Sequence, residues 1–267
     1  MKVKVFSSQG EKGSVELPAQ FNEPVRAEVI KRAVLALQSH KRQPYGADPL
    51  AGKRFSVKLS RRRRDYKGSY GKGISRVPRK TLSRNGSQMY WVGAFAPGTV
   101  GGRRAHPPKI EKVWSQKVND KERKLAIRSA LSASVLKDWV VKRGHVLPPT
   151  YPFIISNEAE ELQKTKDVKS LLEKFGFEKE LERTTEKKIR AGKGKNRGRP
   201  YNKKTGILLV VSQKCPLSSS ARNIPGVDVV PVNAINAELL APGTIPGRLT
   251  LYTQKAIERI QKENLFK

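Results

Sequence analysis

The chain has 267 residues and carries 55 Lys and Arg against 23 Asp and Glu, a formal net charge of +32 with a pI near 10.5. So basic a balance bears on partners more than on fold, because fixed cations gather on phosphates as binding releases condensed counterions. No run approaches the roughly 18 apolar residues of a spanning helix, the opening MKVKVFSSQG has no signal-peptide core, and the single cysteine, Cys215, excludes an intrachain disulfide. The expectation is a soluble cytoplasmic protein whose partner is a nucleic acid and not a membrane.

Residues 2–6 alternate charged and apolar, and residues 14–17 alternate again after Gly10 and Gly13, which predicts an N-terminal hairpin. Pro24 stands where a helix could begin. Val25, Val29, Ala33 and Leu37 recur every fourth residue with Ile30 and Val34 beside them, the stripe of an amphipathic helix. Residues 43–116 then hold 17 Lys/Arg against 3 Asp/Glu, ten Gly and six Pro. Such a tract reads neither as a long helix nor as a sheet. Its charges repel and it has little apolar area to bury, so it is expected to be an extended loop that folds only against a polyanion. Its aromatics are Tyr45, Phe55, Tyr66, Tyr70, Tyr90, Trp91, Phe95 and Trp114. Tyr90 and Trp91 could stack on unpaired bases or pin the loop to its own protein.

A second helix is predicted from Asn119, with Glu122 three residues on as in a capping box, through the apolar face of Ile127, Leu131, Val135, Leu136, Trp139 and Val140 to Gly144. Beyond it, residues 153–155, 207–211, 227–230 and 249–252 look like buried strands, and helices are expected near 165–174, 178–190, 218–223, 233–240 and 253–265. Strands alternating with helices imply parallel pairing through right-handed crossovers. The fold class is therefore α/β: a single layered globular domain, residues 1–42 and 117–267, with a mostly parallel sheet, flanking helices and a long extended basic loop over 43–116. A second basic loop, residues 190–204, carries seven Lys/Arg and no acid. It enters the amino-terminal edge of the strand that follows, whereas ligand crevices of open α/β sheets lie at the carboxyl edge.

Catalytic and cofactor chemistry find little footing. His40, His106 and His145 are scattered with no zinc-ligand spacing, and no base accompanies Cys215, which reads as a buried thiol. Gly192, Gly194 and Gly198 miss the dinucleotide spacing, and Gly68, Gly71 and Gly73 lead into Ile74 and Ser75 in place of a P-loop Lys-Ser/Thr pair. No catalytic residue, cofactor or metal is assigned. The cations fit phosphate instead: Lys53, Arg54, the run Arg61, Arg62, Arg63 and Arg64, then Lys67, Lys72, Arg76, Arg79, Lys80 and Arg84. Arg103, Arg104, His106 and Lys109 extend the set, as do Arg190, Lys193, Lys195, Arg197 and Arg199 in the second loop. Arginine pairs with phosphate bidentately and also stacks on bases.

Several blocks carry a family resemblance. Asn119-Asp120-Lys121-Glu122-Arg123 with Leu125 to Leu131, Gly102 to Lys109, Arg190 to Lys195 running into Arg197-Gly198-Arg199, Ala221-Arg222-Asn223 and Ala241-Pro242-Gly243 resemble, in order, the signature of large-subunit ribosomal protein four in its archaeal and eukaryotic form. The resemblance implies a structural protein that binds large-subunit ribosomal RNA beside neighbouring ribosomal proteins, its long loop threading to the nascent-peptide exit tunnel. It places the tunnel-lining tip at Gly68, Ser69, Tyr70, Gly71, Lys72, Gly73 and Arg76, and the nascent polypeptide among the partners; no homo-oligomer is expected. Where bacterial members have Trp-Arg-Gln-Lys-Gly, this chain reads Arg63-Arg64-Asp65-Tyr66-Lys67-Gly68. It ends at Lys267 without the tail of eukaryotic members, which favours an archaeal source. Two other readings stand beside this one: an RNA-modifying or RNA-cleaving enzyme, which would need a convergent acid/base or metal constellation, and a regulatory RNA binder acting outside the ribosome.

Overall fold

A computed structural model of the chain describes residues 1–267, which form two compact units, Met1–Lys41 with Ser115–Lys267, and Arg42–Trp114. The larger unit opens with a hairpin, β1 (Lys2–Ser7) and β2 (Gly10–Glu16), followed by helix α1 (Ala27–His40). Ile30, Ala33 and Val34 form its buried stripe. Pro24 lies outside the helix: Arg26 is the N-cap, its amide donates to Ser129 Oγ at 2.6 Å, and that hydroxyl donates in turn to the Pro24 carbonyl at 2.8 Å. A residue 103 positions away thus does the work of a local cap.

The chain then makes the smaller unit, whose regular structure is the antiparallel pair β3 (Arg79–Asn85) and β4 (Gln88–Gly93). On its return, α2 (Asp120–Val135) starts at the expected N-cap, Asn119, but no Asn119 side-chain hydrogen bond closes a capping box. Glu122 pairs with Arg32 of α1 at 3.1 Å instead. Nor does one helix run on to Gly144. Leu136 is extended (φ −79°, ψ 114°) and separates α2 from α3 (Lys137–Lys142), while Gly144, at φ +94°, ends the second helix.

The remaining elements are β5 (Phe153–Ile155), α4 (Thr165–Lys174), α5 (Glu178–Thr185), the short pair β6 (Lys187–Ile189) and β7 (Tyr201–Lys203), β8 (Leu208–Val211), α6 (Leu217–Ser220), β9 (Asp228–Pro231), α7 (Ala237–Leu240), β10 (Thr250–Thr253) and α8 (Gln254–Lys262). The six-stranded sheet has the order β2-β1-β5-β10-β8-β9, antiparallel only at β1–β2. Successive strand residues point to opposite faces, and here both faces are apolar. Val5, Ile154, Leu208, Val210 and Tyr252 pack under α1, α2 and α8, whereas Phe153, Ile155, Leu209, Val211 and Leu251 meet α4, α5 and α6. That double burial is why these strands read as unbroken apolar runs.

Two buried polar groups tie the sheet's ends. At the carboxyl edge, Glu160 accepts from Ser212 N (2.9 Å), Ser212 Oγ (2.8 Å) and Thr253 Oγ1 (2.6 Å). At the opposite edge Arg248, 1 % exposed, donates to the carbonyls of Gly206 and Leu239, each at 3.0 Å, and pairs with Asp228. Burial pushes the Arg248 pKa down from its ordinary value, against the pull of Asp228.

Candidate nucleic-acid interface

The Arg42–Trp114 unit holds together with almost no oil: Ala94 is its one buried apolar residue. Composition predicts a tract unable to fold against itself, and the structure corrects that on one point. Cations lie against aromatic rings in place of a core. Arg42 is 4.1 Å from the Trp114 ring centroid, Lys80 is 3.8 Å from Phe55, and Arg76 is 4.2 Å from Tyr70. Lys67 and Arg84 approach Tyr66, Lys72 and Arg79 approach Trp91, and Arg103 approaches Phe95. Tyr45 stacks on Trp114 at 5.0 Å, and the Ala47 amide donates to the Pro108 carbonyl at 3.0 Å, closing the unit's neck. Beyond the neck, Gly52 lets the two chain segments approach closely: at φ +72°, a Cβ there would stand 2.5 Å from the Arg103 amide nitrogen.

The densest cation run is presented by a turn. Asp65 accepts from Ser60 Oγ at 2.6 Å and from the Tyr66 amide at 2.8 Å, and these two bonds, the hydroxyl's first, hold its pKa below the ordinary carboxylate value. Arg61, Arg62, Arg63 and Arg64 all lie exposed around it, and none is within salt-bridge reach of a carboxylate. Lys53, Lys72, Arg76, Arg104, His106 and Lys109 are exposed as well. Arg54 is exposed but engaged by Asp48, and Lys67, Lys80 and Arg103 are half-buried against their rings.

Some residues picked for RNA or the tip face inward. Arg79, 8 % exposed, donates to Ser75 Oγ (3.0 Å), Ser69 Oγ (3.4 Å) and the Val77 carbonyl (3.3 Å), so its guanidinium organises the tract and is not offered to phosphate. Gly68 and Ser69 are buried, and a Cβ on Gly68 would meet the Asp65 carbonyl oxygen at 2.9 Å. Of the tip residues, Gly71, Lys72, Gly73 and Arg76 are exposed and Tyr70 is half-buried. Arg84 donates to the Gly86 carbonyl at 2.9 Å, which holds the turn between β3 and β4.

The second basic segment is a hairpin, not a plain loop. Strands β6 and β7 place Lys187 opposite Lys203 and Ile189 opposite Tyr201, all exposed. Like charges directly opposite destabilise a sheet pair, and a polyanion relieves that repulsion. Arg190 folds back onto the carbonyls of Arg199 (3.1 Å) and Tyr201 (3.4 Å). Lys193, Lys195, Arg197 and Arg199 stand out with no carboxylate partner.

One acid/base constellation escaped sequence reasoning. His145 Nδ1 lies 2.7 Å from Glu180 Oε1, and Arg183 grips the same carboxylate at 2.6 and 2.8 Å. Burial alone would push the Glu180 pKa up, but the bonds from Arg183, His145 and the Val146 amide outweigh it and hold it down; burial pushes His145 down. Glu180 is 1 % exposed and fully engaged, so the group fastens α5 to the segment after α3 and reaches no substrate. No group of three or more His, Cys, Asp or Glu side chains is placed to hold a metal ion. At the sheet's carboxyl edge, a cleft of about 250 Å³ is lined by Ser8, Ser156, Glu158, Asp167 and Lys174 among others, an acid-bearing wall unsuited to phosphate. Cys215 is only half-buried, its sulfur 3.8 Å from Ser218 Oγ. No helix is long and apolar enough to cross a membrane.

Comparison with known proteins points to one family. The model of the ribosomal protein L4/L1 family matches residues 15–263. The large ribosomal subunit protein uL4 of Nanoarchaeum equitans is 50 % identical over the full length of both chains. That of Archaeoglobus fulgidus is 45 % identical over 97 % of each chain, and that of Pyrobaculum aerophilum 44 % identical over 97 % of this chain and 89 % of its own. Since the similarity runs through the doubly covered sheet, the Arg42–Trp114 unit and the β6–β7 hairpin alike, the chain belongs to the ribosomal protein L4/L1 family.

Proposed function

We propose that the chain is a structural constituent of the large ribosomal subunit, acting in the cytoplasm within the ribosome, that binds large-subunit RNA through the Arg42–Trp114 unit and the β6–β7 hairpin. It catalyses no reaction. The observation that carries this reading is the pairing of exposed, carboxylate-free cations with a unit that buries a single apolar side chain. Arg61–Arg64, Lys72 and Arg76 of the first unit and Lys193, Lys195, Arg197 and Arg199 of the second hairpin contact phosphates. The resemblance adds that the long tract threads the RNA beside neighbouring ribosomal proteins and that the exposed Gly71–Gly73 segment lines the exit tunnel against the nascent polypeptide.

The test is retention on large subunits through a high-salt wash, comparing the full chain with one lacking residues 60–105. Affinity carried by cations on phosphates falls steeply as salt rises, and a chain with fewer such cations is the first to be released. The full chain is expected to stay bound while the deletion is stripped. If both wash off alike, the long tract is not the anchor and the RNA-threading reading fails.

A further inference from the structure

The β3–β4 hairpin carries a face unlike the rest of its unit. Register pairs Ser83 with Tyr90 and Asn85 with Gln88, so these four side chains share one side of the ribbon. They line an open cleft of about 440 Å³ together with Met89, and no charged residue borders it. Within a tract of 17 cations such a face is conspicuous. Every other aromatic of the tract has a cation against its ring, Trp91 on the opposite face of the same strand included. Tyr90 has none and is 65 % exposed. The two amides, the hydroxyl of Ser83 and that of Tyr90 make no hydrogen bond within the protein. Gly86, at φ +56° in the two-residue connection, fixes the turn that sets Asn85 opposite Gln88.

Charges and amides do different work on RNA. Lysine and arginine hold phosphates whatever the sequence, whereas base edges are read by groups with a donor beside an acceptor. An amide offers that pair, and its complement is a base edge with an acceptor next to an amino group, as adenine presents. An exposed ring on a two-stranded surface supplies the stacking platform for an unstacked base. We propose that the Ser83/Asn85/Gln88/Tyr90 face is a base-reading site that takes one unpaired adenine of the RNA, stacked on Tyr90 and hydrogen-bonded by Asn85 and Gln88. This rests on the RNA-binding function proposed above and adds to it a single sequence-specific contact among many indifferent ones.

The experiment measures binding of the full chain to large-subunit RNA transcript over a salt series, with dimethyl sulfate footprinting of unpaired adenines. Tyr90→Ala and the double variant Asn85→Ala/Gln88→Ala are each expected to weaken binding about tenfold, the scale of one stacked or bidentately read base. Each should leave the slope of log affinity against log salt unchanged, because no cation is removed. Both should expose the same adenine to methylation, and Tyr90→Phe should restore its protection. Unchanged affinity and footprint in the variants, with wild-type binding intact and steeply salt-dependent, would overturn the base site alone. Wild-type binding that is weak and indifferent to salt would instead overturn the underlying RNA-binding reading. A photo-reactive benzoylphenylalanine in place of Tyr90 that labels nascent peptide in translating ribosomes, and not RNA, would also overturn the site, assigning the face to the tunnel lumen.

Discussion

The two units solve the same problem of holding a basic chain together with opposite materials. In the larger one, both faces of a mostly parallel sheet are dry, and the buried charges are engaged: Glu180 by Arg183 and His145, Glu160 by Ser212 and Thr253, Arg248 by Asp228 and two carbonyls. In Arg42–Trp114 rings and cations hold each other, one apolar residue is buried, and many charges are left over. Cation–π contacts contribute about 0.5–1 kcal/mol each at exposed sites, while burying one Leu or Ile contributes about 1.5–3 kcal/mol. The small unit is therefore held in shape by weak, numerous contacts that leave its cations at the surface. The difference teaches that charge left unpaired in a unit with little buried is what the proposed RNA-binding surface is made of, and charge engaged inside a dry core belongs to the scaffold.

The sharpest way to break the comparison is to remove a scaffold charge. Arg248→Met would strand the carbonyls of Gly206 and Leu239 and free Asp228. Leaving two carbonyl acceptors unpaired, with Asp228 free to turn to solvent, is expected to cost about 1–3 kcal/mol per carbonyl, read as a lower denaturant midpoint for the large unit. Hydrogen exchange within residues 42–114 should stay unchanged. The next effect falls on binding. Arg61–Arg64 replaced together by Gln should leave the unfolding free energy within about 0.5 kcal/mol, as for exposed surface sites. The slope of log affinity against log salt should fall by about 3 to 4, because each arginine that neutralises a phosphate adds nearly one to it. A slope unchanged by this variant would show that the run does not touch RNA.

Acid should separate the units too. His145 is held below its ordinary pKa by burial, so from about pH 6.5 downward the unfolded chain takes up a proton that the folded one refuses, and stability falls. Glu180, held below its ordinary value by the bonds from Arg183, His145 and Val146 that outweigh burial, adds stability above the unfolded carboxylate pKa that is lost as pH falls through the folded one. Both act in the same direction. The large unit should become progressively easier to unfold from about pH 6.5 downward, His145 acting first and Glu180 adding its part below about pH 4.3, and His145→Gln should flatten the upper part of that loss. A His145→Gln profile parallel to that of the wild type would remove His145 as a cause.

How much of this was legible depends on where each signal lives. Residues 153–155, 207–211, 227–230 and 249–252 stood out because strands covered on both faces must be apolar throughout, and the structure places strands there within a residue or two. The helices of 165–174 and α1 were legible from their stripes. The hairpins β3–β4 and β6–β7 were not: β6–β7 is exposed on both sides, and β3–β4 covers its inner side only in part, so neither carries a clear apolar alternation to read. Residues 187–189, expected as the end of a helix, are a strand for the same reason. The break at Leu136 has no Gly or Pro to announce it. At the interface, composition alone located the cations. Which of them are free was not legible, since Arg79 turns inward to Ser69, Ser75 and Val77 through a fold that no local pattern encodes.

The smallest expected effect probes the weak side of the comparison. Arg42 lies over Trp114 at 4.1 Å and within 5.5 Å of Tyr45, at the neck where the two ends of the smaller unit meet. Arg42→Gln removes the cation but keeps a polar side chain that still covers part of the rings, so the cost is that of one cation–π interaction, about 0.5–1 kcal/mol. In a unit with so little buried, that is enough to be seen locally. The Ala47 amide, bonded to Pro108 at 3.0 Å, should exchange about two- to fivefold faster, following the free-energy change through RT. The amides of β8 and β10, inside the dry sheet, should not change. Arg42→Lys keeps the charge and should recover most of the protection, whereas equal exchange in all three proteins would mean that the stack of Tyr45 on Trp114 closes the neck without the cation.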